Sequence, residues 1–145
     1  MWIILFITFS ALLFDVRQAA RYKEEVKIAL NNATKAATLQ IDKDPAKIGL
    51  GIFEIDPVLS RLVFEDYLSD NLSTAKDDLF IHVIDYKAIN THSPVVYLDI
   101  ANGNTYNINY PTFVAVMEFT YKGLFMTKTI EINNISGTRL RSSVD

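Results

Sequence analysis

The side chains best suited to chemistry in this chain are two histidines and three short acidic groups. His82 and His92 stand ten residues apart, the first in a strand-like stretch and the second in a turn beside Pro94. Neither belongs to a ligand pattern such as His-Glu-x-x-His, so an ordinary surface or half-buried histidine is the simpler account of each. Asp42-Lys43-Asp44, Glu65-Asp66 and Asp77-Asp78 bring carboxylates together, as calcium ligation and general acid–base work require. None follows EF-hand spacing; helix-end and loop charge explains them, with Asp42 to Asp44 the one calcium candidate left. The chain has no cysteine, which removes thiolate nucleophiles, disulfides and Cys-based zinc or iron–sulfur sites. A phosphate-cradling glycine loop and a Gly-x-Ser-x-Gly turn are absent as well. No nucleophile, base and orienting group can be named together, so the expectation is a protein that is not an enzyme, with no cofactor and no metal.

Residues suited to contact rather than catalysis are more numerous. Phe113, Phe119 and Phe125 fall on expected strands and read as core, whereas Tyr97, Tyr106 and Tyr110 form a candidate exposed cluster for adhesion or subunit packing. Asn32-Ala33-Thr34, Asn71-Leu72-Ser73 and Asn134-Ile135-Ser136 match the N-glycosylation tripeptide, a pattern that also arises by chance. The 14 basic residues are scattered and the net charge is −3, which argues against nucleic acid as a partner. With 145 residues, half of them apolar, the chain suits one folded unit plus whatever its N-terminus does.

That N-terminus reads MWIILFITFSALLF from Met1 to Phe14, without a charge and apolar all round. As a helix it covers about 20 Å, short of the roughly 30 Å hydrocarbon core of a bilayer. Three roles compete for it. A cleaved signal peptide would need a basic start and a small-residue cleavage site, and nothing basic precedes Trp2. A buried core helix is the usual account of short apolar runs, but this one opens the chain. A membrane or filament-core anchor fits best, with Trp2, Ile3, Leu5, Phe6, Phe9, Leu12, Leu13 and Phe14 as contact residues and Asp15 and Arg17 at its end. Loss of an upstream leader would account for its shortness. Arg17, Arg21 and Lys23 follow the run and would favour a cytoplasmic C-terminal side, a bias that a basic leader would cancel.

No Pro occurs before Pro45 and no Gly before Gly49, so one helix is expected to continue to Ile41. Over 15–41 it becomes amphipathic: Tyr22, Val26, Ala29, Leu30, Ala33, Ala37 and Ile41 recur at three- and four-residue steps. Ala29, Ala33, Ala36 and Ala37 would let a sheet or another helix approach closely.

Phe14-Asp15-Val16-Arg17, then Ala19-Ala20-Arg21, then Asn31-Asn32-Ala33-Thr34-Lys35-Ala36-Ala37, following a bulky apolar helix, form a recognisable series. It resembles the N-terminal region of TadE-like pilus-assembly proteins, the pilin-like minor components of tight-adherence systems. In that family an apolar stretch leads into an Asp-Phe-Gly-Arg-like element and an Asn-Ala-Ala-x-x-Ala-Ala-like one. The likeness covers roughly the first forty residues. The spacing between the elements is about one helical turn longer here. The small residue before the arginine is absent, and no acid precedes Asp15, where the family carries one that is thought to pair with a neighbour's N-terminal amine. What the resemblance implies is a membrane-anchored, exported pilus component without catalytic activity.

Residues 42–145 are expected to form the extracytoplasmic head. Asp42 to Gly51 should end the long helix as a loop and act as the hinge between anchor and head. Asp56-Pro57 should cap a second helix carrying Val58, Leu59, Leu62, Val63 and Leu72, ending within Ser69 to Asp78. From Leu79 the texture is β: LFIHVIDYK, VVYLDIA, an Asn102-Gly103-Asn104 turn, TYNINY, then Thr112 to Tyr121. Phe113, Ala115, Met117, Phe119 and Tyr121 share one face of that last strand, opposite Thr112, Glu118 and Thr120. Lys122-Gly123 should turn it into Leu124 to Ile132, with Leu124, Met126, Ile130 and Ile132 on one face. Asn133 to Asp145 reads as a fraying polar tail. The expected fold is therefore α+β, a protruding helix packed by its C-terminal half on a four- or five-stranded, largely antiparallel sheet, with a second short helix.

The function expected is that of a structural subunit of a bacterial surface filament, its helices packed in a filament core with copies of itself or other pilin-like subunits. The membrane would hold it during biogenesis. The alternative is a membrane-anchored assembly or binding module that does not polymerise.

Overall fold

In the computed structural model, which describes residues 2–72, 79–91, 93–98, 103 and 105–137, one helix forms the spine and the other elements gather along its second half. This helix, α1 (Trp2–Thr38), runs 37 residues without a break, about 55 Å. It ends three residues before the expected Ile41, because the Gln40 amide bonds back to Ala37 O and Ile41 pairs as an isolated bridge with Ile55. The layout expected from the sequence is the one observed: α+β, with the helix packed by its C-terminal half on antiparallel sheet, plus shorter helices.

The loop expected over Asp42 to Gly51 holds a short helix, α2 (Pro45–Gly49), capped by the Asp44 carboxylate accepting from Ala46 N–H. It does not hang free as a hinge. Asp42 N–H bonds Glu54 O, Asp56 N–H bonds Gln40 O, and Lys47 Nζ bridges Asp42 Oδ2 (2.7 Å) and Glu54 Oε2 (2.6 Å). Asn90 clamps Ile55 from the other side, accepting from its N–H and donating to its C=O.

Asp56 caps α3 (Pro57–Leu72) as expected, its Oδ1 accepting from Val58 and Leu59 N–H at 2.9 Å. Its apolar residues do not all face the core. Ser60, Phe64 and Leu68 point inward while Val58, Leu59 and Leu62 are exposed. Phe64 sets this rotation: its ring stacks on Tyr86 at 4.9 Å and tilts against Phe113 at 5.3 Å.

The strands are β1 (Leu79–Ile89), β2 (Val95–Leu98), β3 (Thr105–Ile108), β4 (Thr112–Lys122) and β5 (Thr127–Gly137). They form two antiparallel sheets rather than the single sheet expected: β1-β4-β5 and a separate β2-β3 hairpin. A register shift between Val83 and Asp85 lets β1 send Leu79, Ile81 and Val83 to the core and then Tyr86 and Ala88. Phe113, Ala115, Met117, Phe119 and Tyr121 face the helices, as their alternation predicted. The opposite face is covered too, since Val114 packs with Tyr97 and Ile108 of the hairpin. Tyr97 is thus buried and Tyr106 half-buried, so the exposed tyrosine cluster is corrected to a second small core.

Two further corrections concern β5. Gly123 to Met126 form the turn, closed by Gly123 N–H to Met126 O, so Leu124 and Met126 share no strand face and Phe125 is 59% exposed rather than core. At the other end, Asn133 to Gly137 are strand, paired with Thr112 to Val116, and not tail. Residues 138–145, His92, Asp77-Asp78 and the flanks of the Asn102-Gly103-Asn104 turn lie outside the described residues.

Candidate anchor and its junction with the head

α1 divides sharply at Asp15. From Trp2 to Phe14 the side chains project on every side and are exposed apart from the half-buried Ala11: Trp2 is 83% exposed and Phe6 72%, and Ile3, Leu5, Phe9, Leu12 and Leu13 are likewise exposed. The helix is long and apolar enough to cross a membrane by length and composition alone. From Asp15 onward a stripe is buried: Asp15, Ala19, Tyr22, Val26, Ala29, Leu30, Ala33, Thr34, Ala37 and Thr38. Steps of four and three residues keep that stripe on one side.

The stripe begins with a carboxylate. Asp15 is fully buried, and its two oxygens accept from the turn between β4 and β5: Oδ1 from Leu124 N–H (3.0 Å) and Oδ2 from Phe125 N–H (2.6 Å). Two charge-assisted bonds satisfy an acid that would otherwise be costly to bury. Gly123 makes the approach possible, since a Cβ there would stand 2.6 Å from the Asp15 carboxylate. Arg17, named beside Asp15 as an anchor residue, is exposed on α1.

Past Asp15 the helix is clasped between α3 and the face of β4 and β5. Ala29, Ala33 and Ala37 are fully buried in this seam and Ala36 half-buried, as their small size suggested. The far end of the seam is polar. Asn134 Nδ2 donates to Asn31 Oδ1 (3.2 Å) and Thr34 Oγ1 (2.5 Å), and Thr38 Oγ1 donates to Ser136 O (3.2 Å). These bonds hold Asn133 to Gly137 in the sheet. They also commit two of the three glycosylation tripeptides, whose Thr34 and Asn134 side chains are engaged inside the head.

The chemistry candidates are dispersed among the described residues. His82 lies on the exposed face of β1, Nδ1 3.5 Å from Glu118 Oε1 across the register pair. Asp42 is engaged by Lys47, which holds its carboxyl below the usual range, and Asp44 caps α2. Glu65 accepts from Tyr86 OH and from Arg61 Nε at 3.1 Å. That pairing lowers the Glu65 carboxyl and raises the Tyr86 phenol, and it ties α3 to β1.

The Asp15–turn lock is the feature that reading the residues missed. Its signal was present: stepping back from Tyr22 by three and then four residues lands on Ala19 and Asp15. Similarly, the unbroken apolar run Phe113 to Met117 marked a strand covered on both faces. Compared with protein-family models, with curated proteins and with solved structures, the chain matches none.

Proposed function

We propose that this chain is a structural, non-catalytic subunit of a bacterial surface filament, pilin-like or TadE-like, whose bare helix segment packs with its counterparts in a filament core while the head faces outward. The observation that carries this reading is the bare segment of α1: thirteen residues, Trp2 to Phe14, left largely exposed by a head that completes its own core without them. Water is an unfavourable surround for such a surface. At roughly 25 cal/mol per Å² its burial would drive either insertion into lipid or packing with other helices. The fixed joint at Asp15 supports assembly, because a rigid arm presents every head in the same pose.

Negative-stain electron microscopy of sheared cell-surface material, with mass spectrometry of its subunits, tests the proposal. Regular filaments containing this chain are expected. Retention in the membrane fraction without filaments would instead favour the anchored assembly or binding module.

A further inference from the structure

We infer that, while α1 is held in a membrane, the β4–β5 turn is a second membrane contact: Leu124 and Phe125 enter the lipid interface beside Phe14, with Lys122 against anionic headgroups. This rests on the membrane-anchoring part of the proposed function. Two independent observations lead to it.

The first is level. Leu124 and Phe125 are hydrogen-bonded through their own amides to Asp15, the residue directly after Phe14. Phe14, Gln18, Tyr121, Lys122, Gly123 and Leu124 line one shallow recess there. A lipid boundary that covers Phe14 therefore reaches the turn.

The second is composition. A turn tip is ordinarily polar, yet Leu124 is 75% and Phe125 59% exposed, and Phe80 at the same end of the sheet is 57% exposed. Lys122 Nζ lies 4.6 Å from the centroid of that Phe80 ring. Arg17 and Lys23 follow on the helix, while Arg21 is paired with Glu25 at 2.7 Å. The nearest acid on that helix, Asp15, is consumed by the turn amides. Apolar tips among cations suit the boundary between acyl chains and anionic headgroups, where aromatics and lysine stems partition. The same cations would repel a second copy of this surface.

The absence of cysteine allows a direct test with the full chain. Single variants Phe9→Cys, Phe125→Cys and Leu50→Cys, each carrying an environment-sensitive fluorophore, would be reconstituted in phosphatidylcholine vesicles with and without phosphatidylglycerol. Quenching is then read from spin-labelled lipid and from aqueous iodide. Lipid quenching is expected at positions 9 and 125 and iodide quenching at position 50; adding Lys122→Glu should reduce the lipid quenching at 125 in the anionic vesicles. If position 9 is lipid-quenched while 125 answers to iodide, the second contact is overturned and the anchor stands. Protection of 125 from both quenchers would assign the turn to a protein contact and also overturn it. Failure of lipid to reach position 9 would remove the anchor reading and this inference together.

Discussion

The two halves of α1 share one backbone and one helix, yet they are built for different surroundings. Residues 2–14 spread apolar side chains around the full circumference and leave nearly all of them exposed, whereas residues 15–38 confine burial to a stripe matched to α3, β4 and β5. Helix formation needs only the absence of breakers, which both halves satisfy. The arrangement of side chains decides what each half must be packed against. A stripe is completed by one partner surface, and a full circle requires an enclosing medium or several neighbours.

Substitutions can separate the halves. The largest expected effect is on the packed one: Phe119→Ala, at a fully buried ring, should cost the head about 3–5 kcal/mol in denaturant unfolding while leaving membrane partitioning unchanged. In the bare half, Phe9→Asp should weaken lipid insertion by about 3 kcal/mol, seen as release from the membrane fraction, with no change in the denaturation midpoint of the head. If either substitution moves both readouts, the two halves are not independent.

The joint should respond next. Asp15→Ala leaves the Leu124 and Phe125 amides without their acceptor, and Gly123→Ala drives a methyl against the carboxylate; each should lower the melting temperature by about 5 °C. In the double variant the second loss should be much smaller than the first, because the group it clashes with has gone. Full additivity would mean that the turn and the helix end are not coupled.

The smallest effect concerns acid. The folded Glu65 carboxyl is held below its ordinary value of 4.5, first by the Tyr86 hydroxyl and then by Arg61. A depressed carboxylate contributes stability above its unfolded value, and that contribution is lost as pH falls through the folded one. Asp42, lowered from 3.8 by Lys47, acts in the same direction. Glu65→Gln should therefore unfold at slightly lower denaturant than the parent near neutral pH, with the gap closing in the acid range below 4.5. Since Glu65 is partly exposed, the gap should be small and salt-sensitive.

Much of this organisation was legible in the residues. The continuous helix followed from the missing Pro and Gly, α3 from Asp56-Pro57, and β4 from its alternating large side chains. What escaped depended on contacts distant in sequence. Nothing local marks Asn134 and Ser136 as strand until Thr34 and Thr38 are set opposite them, and the turn closed by Gly123 and Met126, which takes Leu124 out of the strand, is held in place by the distant Asp15. The bare segment Trp2 to Phe14 was legible because its apolar residues run all the way round the helix, which needs no tertiary information. The pilus role itself stands as a proposal, carried by that exposed apolar segment and by the residues resembling the TadE-like N-terminus.

The bond between Asp15 and Leu124 closes a loop of 109 residues. Synthesis proceeds from the N-terminus, so α1 is complete long before the hairpin that clasps it. Until β4 and β5 emerge, the stripe from Ala19 to Ala37 has no sheet to meet, and contacts this distant in sequence are slow to find. During that interval the helix exposes apolar surface along both halves, the condition under which unfinished chains aggregate. A stop shortly before Thr112 would leave this state permanent, so β4 and β5 decide whether a newly made chain is native or a substrate for quality control.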